Sequence, residues 1–365
     1  MSAVREAQAS TPKTGPHPPV ISGRFVRAGT RGPSLRFQVR TVVVTALLLL
    51  ALVTVIGITL TTGDFPLTVG EVVGALTGNG SGAADFVVNT LRMPRILTAV
   101  FVGAALGVSG AILQSLTRNS LGSPDIIGFT NGSAVGALVV IIVLRGSMTE
   151  IAIGALIGGL ATALVVHLLL IGRGLQGFRL VVIGIGVSAL LLAVNSYLIT
   201  RATFQEAQEA QAWLIGSLGN RLWMHANAIG IALAVLLPPA LLLSRRLAMV
   251  EMGDVTATAL GVNVGRTRTI LFVISVALAA FATAVTGPIA FIALAAPQVV
   301  RTLTRSSGPV LISSALMGAF LLALSDLVVQ RVFAPALLPV GTATGAVGGA
   351  YLIWLLITES RKSRA

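Results

Sequence analysis

Long runs of apolar residues, each about as long as a membrane is thick, recur along almost the whole chain from residue 41 onward. A helix needs roughly 20 apolar residues to cross a hydrocarbon core of about 30 Å. The runs are too long and unbroken for barrel strands of alternating polarity, and backbone amides in lipid must be hydrogen-bonded within the protein. The sequence therefore predicts an all-α, polytopic membrane protein.

The apolar runs divide into about ten predicted spans. Their bounds are 41–61, 93–113, 127–145, 150–171, 180–200, 226–245, 269–287, 290–304, 309–332 and 338–358. The eighth is the weakest, because Pro297 interrupts it and Arg301 ends it. Residues 1–40 are polar, rich in Pro, Gly and Ser and carry seven basic residues against one acidic residue, which predicts a disordered cytoplasmic leader. The membrane domain then covers 41–360, and 361–365 form a short cytoplasmic tail.

Basic residues are distributed very unequally between the two sides that ten spans define. Nineteen of the 25 lysines and arginines fall in the leader, the tail and alternate loops, and six fall on the opposite side. Basic loops stay in the cytoplasm, so both termini are predicted to be cytoplasmic and the protein to lie in the cytoplasmic (inner) membrane. The net charge of +13 is therefore explained by loops at a lipid bilayer, and we predict no nucleic-acid partner.

Several kinds of chemistry are excluded or disfavoured by the residues that are absent. The chain has no cysteine, and its three histidines are too scattered in sequence to indicate a metal cluster. No group of polar catalytic residues shares one membrane depth, so we predict neither an enzyme nor a resident cofactor. The only lysines, Lys13 and Lys362, lie in the two tails, which excludes a P-loop. Any ATP that drives this protein must be bound by a separate subunit.

Asp326 is the one carboxylate well inside a predicted span. An ionisable group at that depth is a candidate for function, but an ion-coupled carrier usually needs several such groups. We favour an intramembrane structural role, in which Asp326 binds a neighbouring helix or an arginine such as Arg331. A transport role remains the alternative.

The longest predicted cytoplasmic loop, 246–268, has the signals of an ordered element. Asp254 is predicted to cap the first amides of a short helix through VTATAL, and Gly261 to end that helix in a left-handed conformation. Such a helix could fit as a rigid knob into a partner's cleft. The alternative is a helix that lies on the membrane surface.

Three arginines mark the ends of spans on the opposite, outer side of the membrane. Arg92 and Arg95 open the second span, and Arg331 closes the ninth. Their side chains either extend into lipid headgroups or form a basic rim that pairs with carboxylates of a delivery protein or an acidic ligand.

Several long motifs, in order, resemble the FecCD family, the permeases of ABC importers for ferric siderophores, haem and vitamin B12. The motifs are LRMPRILTAVFVGAALGVSGAILQSLTRNSLGSPDIIGFTNGSAVGA, EMGDVTATALGVNVGRTR, GPIAFIALAAPQVVR and LSDLVVQRVFAPALLPVGTATGAVGGAYLIWLL. The similarity runs from about residue 41 to 360, and within the family it is nearest to subunits for ferric enterobactin. The chain departs from the family pattern at Ser120, where Pro is common, and at Gln298, where His is common.

The resemblance implies a ten-helix subunit with the type II ABC importer permease fold. It implies a second permease, either a copy or a paralogue, two ABC ATPase subunits and an extracytoplasmic siderophore-binding protein. By motif position the ATPase contact would comprise Asp254, Ala257, Leu260 and Gly261, and the binding-protein contact would comprise Arg92, Arg95 and Arg331. In the fifth span, Asn195 and Ser196 would line the pathway, although helix packing explains both nearly as well.

The expected function is import of a ferric siderophore across the cytoplasmic membrane, driven by the separate ATPase. The alternatives are an importer of the same family for haem or cobalamin, or an ion-coupled secondary carrier.

Overall fold

The computed structural model describes residues 24–27, 34–170, 177–306, 308–333 and 338–362. Residues up to Val43 and those from Val44 onward form two separate compact units. In the first unit, strands β1 (Arg24–Arg27) and β2 (Ser34–Phe37) pair antiparallel. These strands differ from the continuous disorder predicted for 1–40. The rest of 1–33 lies outside the described residues, and disorder there stays a prediction.

Helices make up nearly all of the second unit. In chain order they are α1 (Val39–Thr61, which begins in the first unit), α2 (Val69–Leu76), α3 (Gly82–Asp85), α4 (Met93–Thr117), α5 (Phe129–Leu138), α6 (Met148–Leu170), α7 (Gly177–Arg201), α8 (Phe204–Ile215), α9 (Trp223–Leu242), α10 (Ser244–Met252), α11 (Asp254–Ala259), α12 (Val264–Thr286), α13 (Ile292–Thr304), α14 (Leu311–Val332) and α15 (Val340–Lys362). Two π-helical segments, Phe86–Arg92 and Val139–Leu144, join α3 to α4 and extend α5.

Within the described ranges, seven helices are long and apolar enough to cross a membrane. They are α1, the continuous helix Gly82–Thr117, α6, α7, α9, α12 and α14. The other three predicted spans correspond to the shorter apolar helix Phe129–Leu144, to the 13-residue α13 and to α15. The prediction of an all-α, polytopic protein with about ten membrane helices is confirmed.

Two short helices outside the predicted spans, α2 and α8, have the same polar start. Thr68 before α2 and Thr203 before α8 each accept a hydrogen bond from the amide of a glutamate three residues later, and that glutamate accepts one in return from the threonine amide. These capping boxes stabilise helices that, at 8 and 12 residues, are too short for a hydropathy analysis to detect as spans.

Helix α4 lies at the centre of the bundle and packs against α9, α12, α13 and α14. Most of its residues are buried, and small residues let its neighbours approach closely. A Cβ at Gly103 would overlap the Gly318 carbonyl of α14, and a Cβ at Gly110 would overlap the Ala293 carbonyl of α13. The glycine-rich helix thus fixes the positions of the two helices that flank it.

Helix α7 contrasts with α4, because it is strongly apolar and yet mostly exposed within this chain. Large side chains such as Leu190, Leu192 and Tyr197 are more than half exposed. An apolar face of this size must be covered by lipid or by another protein.

Candidate functional site

The coupling segment, residues 244–262, contains α10, α11 and the turn that ends α11. The cap of α11 is Gly253 at φ 131°, and Asp254 is the first helical residue with no capping hydrogen bond from its side chain. The prediction that Asp254 caps this helix is therefore wrong. The physical reason is that its carboxylate is held by two arginines instead.

The end of α11 is as predicted. Gly261 has φ +80°, its amide donates to the Thr258 carbonyl at 2.9 Å, and the Val262 amide donates to the Ala257 carbonyl at 3.0 Å. This pair of bonds is a Schellman motif, in which Val262 also packs on Ala257. The glycine ends the helix in the left-handed conformation that the sequence predicts.

The Asp254 carboxylate joins the coupling segment to the ends of two long helices. Arg268 of α12 donates to its two oxygens at 2.7 and 3.0 Å, and Arg118 at the end of α4 donates to it as well. Arg118 also donates to the Val250 carbonyl of α10 at 2.8 Å. The Arg268 side chain is only 7% exposed, so the Asp254 carboxylate is needed to compensate its buried positive charge.

A second ion pair attaches the coupling segment to α13. Glu251 pairs with Arg301 at 2.9 Å, and Arg301 donates to the Ser115 hydroxyl of α4 at 2.7 Å. The coupling segment is therefore bound to α4, α12 and α13 through charged side chains, and a force applied to it reaches all three helices.

The outward surface of the coupling segment is apolar. Met252, Val255 and Leu260 are 72%, 86% and 59% exposed. Gly261 is exposed as well, whereas Ala257 is fully buried against Val250 and Val262.

Of the four predicted ATPase contacts, Leu260 and Gly261 are therefore accessible, Asp254 is engaged within the chain and Ala257 faces inward. The ATPase contact itself stays a prediction. Met252 and Val255 were not among the predicted contacts. They are apolar, lie three residues apart and stand on either side of Gly253, and this pattern in a polar loop could have indicated an apolar contact surface.

Two of the outer arginines are engaged within this chain. Arg92 donates to the Leu60 carbonyl, and to the Phe65 carbonyl at 2.6 Å. Arg95 binds Asp326 with two hydrogen bonds of 2.7 and 3.0 Å, a bidentate geometry that only arginine provides.

Asp326 thus joins α14 to α4, and the choice of a structural over a transport role for it stays a prediction. Gln330 donates to the same carboxylate at 2.7 Å. The arginine partner is Arg95 rather than Arg331, which is exposed and close enough to repel Arg92 electrostatically. Arg95 is therefore less available than the other two arginines for a binding protein, and docking through these arginines stays a prediction.

The two polar residues predicted to line the pathway have different surroundings in α7. Asn195 is 4% exposed and its amide donates to the Asn131 carbonyl of the neighbouring helix at 3.4 Å. Ser196 is exposed, and its hydroxyl donates to the Leu192 carbonyl of its own helix at 3.0 Å. Asn195 serves helix packing in this chain, and a lining role stays a prediction for both.

The two departures from the family pattern contact each other. The Gln298 amide donates to the Ser120 carbonyl, and the Tyr351 hydroxyl donates to Gln298 Oε1 at 3.3 Å. A glutamine amide can donate and accept at once. Gln298 therefore bridges the connection after α4 to α15.

Comparison with known proteins agrees with this architecture. Residues 48–358 match the FecCD transport family. The chain is 45% identical over 324 residues to the ferric enterobactin transport system permease protein of Escherichia coli (strain K12), covering 88% of this chain and 98% of that one. It is 37% identical over 287 residues to a siderophore transport system permease protein of Bacillus subtilis (strain 168), covering 76% and 84%.

A solved structure has the same fold. The chain superimposes on a metal-chelate-type ABC transporter in an inward-facing conformation with a TM-score of 0.78 and 29% identity, over 87% of this chain and 99% of that one. The family match, the two relatives and this structure agree along nearly the whole membrane domain. The chain belongs to the FecCD transport family.

Proposed function

We propose that this chain is the membrane-spanning permease subunit of an ABC importer that carries a ferric siderophore into the cell. Nucleotide hydrolysis takes place on a separate ATPase that docks on the coupling segment. A second permease, a copy or a paralogue, completes the pathway, and an extracytoplasmic binding protein delivers the substrate.

One observation carries the proposal: an exposed apolar surface lies on a segment that is braced by charge to three helices. Met252, Val255 and Leu260 form that surface. Apolar side chains at such exposure fit a protein partner better than water. The ion pairs of Asp254 and Glu251 then pass the movement of the partner to the helices.

The transport step is alternating access without covalent chemistry on the substrate. Closure of the ATPases on ATP displaces the coupling segment, and its attached helices tilt. The binding energy of ATP in this way drives the change between a pathway open to the outside and a pathway open to the cytoplasm.

The decisive experiment is uptake of a ferric catecholate siderophore into proteoliposomes that contain the complex purified with its native partners. We expect uptake to require ATP inside and the binding protein outside, and to stop when the ATPase is catalytically inactive. Uptake that continues with the inactive ATPase and collapses when the proton gradient is dissipated would show an ion-coupled carrier.

The outer arginines provide a test of the binding-protein contact. Replacing Arg92 and Arg331 with glutamate reverses two charges that an acidic partner surface needs. We expect the double variant to bind the binding protein more weakly, chiefly through a slower association. An unchanged affinity would remove these residues from the contact.

A further inference from the structure

A cavity of about 270 Å³ lies where three membrane helices end. It is lined by Met148, the first residue of α6, by Thr286, the last residue of α12, and by Arg221, two residues before α9. The opposite ends of α9 and α12 adjoin the coupling segment. All three helices are long enough to cross a membrane, so the cavity lies at the level of the lipid headgroups, on the side away from the coupling segment.

Two side chains of opposite charge line this cavity without pairing with each other. They are Arg221 and Glu209 of α8, and no ion pair within the described ranges includes either residue. Arg221 donates from Nε to the Ser217 carbonyl at 3.2 Å, and its two terminal amino groups have no acceptor among the residues that the structure describes. A guanidinium has five N–H donors, so most of its bonding capacity is left for a group in the cavity.

The loop before α9 fixes the position of Arg221. The Gly219 amide donates to the Ser217 hydroxyl at 3.0 Å, and Asn220 has φ +56°, a left-handed conformation that asparagine tolerates. Arg221 is partly buried, and this burial lowers the pKa of its guanidinium. A partly buried cation without a counter-charge is stabilised when an anion binds beside it.

His225 adds a second hydrogen-bond donor to the same cavity. Its Nδ1 accepts a hydrogen bond from the Leu222 amide at 3.1 Å, so the neutral ring carries its proton on Nε2. Because His225 also lines the cavity, an anion bound at Arg221 has an imidazole N–H within the same site. A phosphate group, with several acceptor oxygens, can accept from both side chains at once.

The face of α9 that begins beside this cavity is apolar and exposed. Met224, Ile231 and Val235 are spaced seven and four residues apart, which places them on one side of the helix. They are 53%, 65% and 64% exposed. Met224 directly precedes His225, so a lipid chain that covers this face has its headgroup at the level of the cavity.

We propose that the cavity binds the headgroup of a phospholipid that carries both a phosphate and a primary ammonium group, as phosphatidylethanolamine does. Arg221 and His225 bind the phosphate, Glu209 binds the ammonium group, and an acyl chain lies along the apolar face of α9. A headgroup with both charges provides a partner for each charged side chain. Phosphatidylglycerol leaves Glu209 without a cation, and the quaternary ammonium of phosphatidylcholine has no N–H to donate.

The first test measures lipid binding to the full-length chain in detergent by native mass spectrometry. The three lipids, phosphatidylethanolamine, phosphatidylglycerol and phosphatidylcholine, carry the same acyl chains. We expect the parent to bind phosphatidylethanolamine several-fold more tightly than the other two. Loss of charge-assisted hydrogen bonds changes an equilibrium by about tenfold or more, so Arg221→Ala should weaken binding of phosphatidylethanolamine by that factor. Arg221→Lys, which keeps the charge, should retain more of the affinity.

The carboxylate is tested separately. Glu209→Gln should remove the preference for phosphatidylethanolamine over phosphatidylglycerol, because the ammonium group then has no anionic partner. The matched control is Arg201→Ala, at an exposed arginine that does not line the cavity, and it should bind all three lipids as the parent does.

The second test separates loss of binding from loss of folding. Ala212 is exposed and lines the cavity, so Ala212→Phe occupies its space while both charged side chains remain. We expect this variant to bind phosphatidylethanolamine more weakly, with an unchanged elution volume and an unchanged Tm before lipid is added. Equal affinity of the parent for the three lipids, or parental affinity for phosphatidylethanolamine in either Arg221→Ala or Ala212→Phe, would overturn the proposal.

Discussion

The ion pair between Arg95 and Asp326 allows a prediction whose size and asymmetry follow from the structure. The Asp326 side chain is 3% exposed and the Arg95 side chain 27% exposed. Removing either partner leaves the other charge without its ion-pair partner, but the two remaining charges do not have the same access to water. We therefore expect the two single variants, Arg95→Ala and Asp326→Ala, to lower the free energy of unfolding by different amounts.

Removing one partner of a buried ion pair costs about 3–5 kcal/mol, because the remaining charge is uncompensated. Arg95→Ala should reach this range, since Asp326 keeps only Gln330 as a donor and cannot reach water. Asp326→Ala should cost less, about 1.5–3 kcal/mol for the lost charge-assisted bonds, because the long arginine stem can extend to the surface. The double variant Arg95→Met, Asp326→Leu should be close to the parent, because neither charge remains.

Thermal unfolding of the purified chain in detergent measures this order. At about 2 °C per kcal/mol for a chain of this size, Arg95→Ala should lower Tm by several degrees and Asp326→Ala by fewer. Arg331→Ala, at an exposed arginine, is the matched control and should leave Tm unchanged. Equal Tm values for the two single variants, or a double variant as unstable as Arg95→Ala, would refute the reasoning.

Three further predictions concern packing, coupling and pH. Gly110→Ala, whose Cβ would overlap a carbonyl of α13, should lower the yield of folded protein in size-exclusion chromatography, whereas Gly57→Ala, with open space around it, should not. Val255→Glu should weaken co-purification of the ATPase without changing Tm, because Val255 is 86% exposed; unchanged co-purification would contradict the coupling surface. The amide and hydroxyl of Thr203 lower the pKa of Glu206, so its capping contribution is present above the ordinary carboxyl pKa of about 4.3 and is lost as pH falls through the lowered value. Amide exchange in α8 should therefore accelerate in acid in the parent, and Glu206→Gln should remove that pH dependence.

The membrane spans could be predicted from sequence because lipid imposes a single rule on every residue of a span. An apolar run of about 20 residues can satisfy its backbone only as a helix, so composition and length are enough. The stop of α11 was predictable for a similar local reason. Gly261 adopts φ +80°, which few other residues tolerate, and its bonding partners lie within four residues.

The ion pairs could not be predicted, because they join residues far apart in the chain. Arg118 and Asp254 are separated by 136 residues, and Arg95 and Asp326 by 231. A sequence pattern offered Asp254 a local cap, but two arginines brought close by the packing of α4 and α12 compete for the same carboxylate. Charge-assisted bonds are stronger than a cap, so the tertiary partners win.

The weakest predicted span, the eighth, shows why an exception to the hydropathy pattern is informative. Helix α13 has 13 residues and is about 20 Å long, so it begins inside the membrane rather than at its surface. The irregular backbone before it cannot be exposed to lipid, and other parts of the protein must supply its hydrogen bonds. The Ser217 amide donates to the Thr286 carbonyl at 2.8 Å, and the Thr286 hydroxyl donates to the Gly287 carbonyl at 3.0 Å.

A helix that starts at mid-membrane depth is stable only while those supporting groups remain in place. The same requirement makes its starting point sensitive to their movement, because a shift of Ser217 leaves the Thr286 carbonyl without its amide donor. A continuous span has no such dependence, since all its amides are bonded along its own axis. The stability of the start of α13 therefore depends on groups that can move. At the other end of this helix, Arg301 pairs with Glu251 of the coupling segment, so a displacement of the coupling segment acts on the same helix.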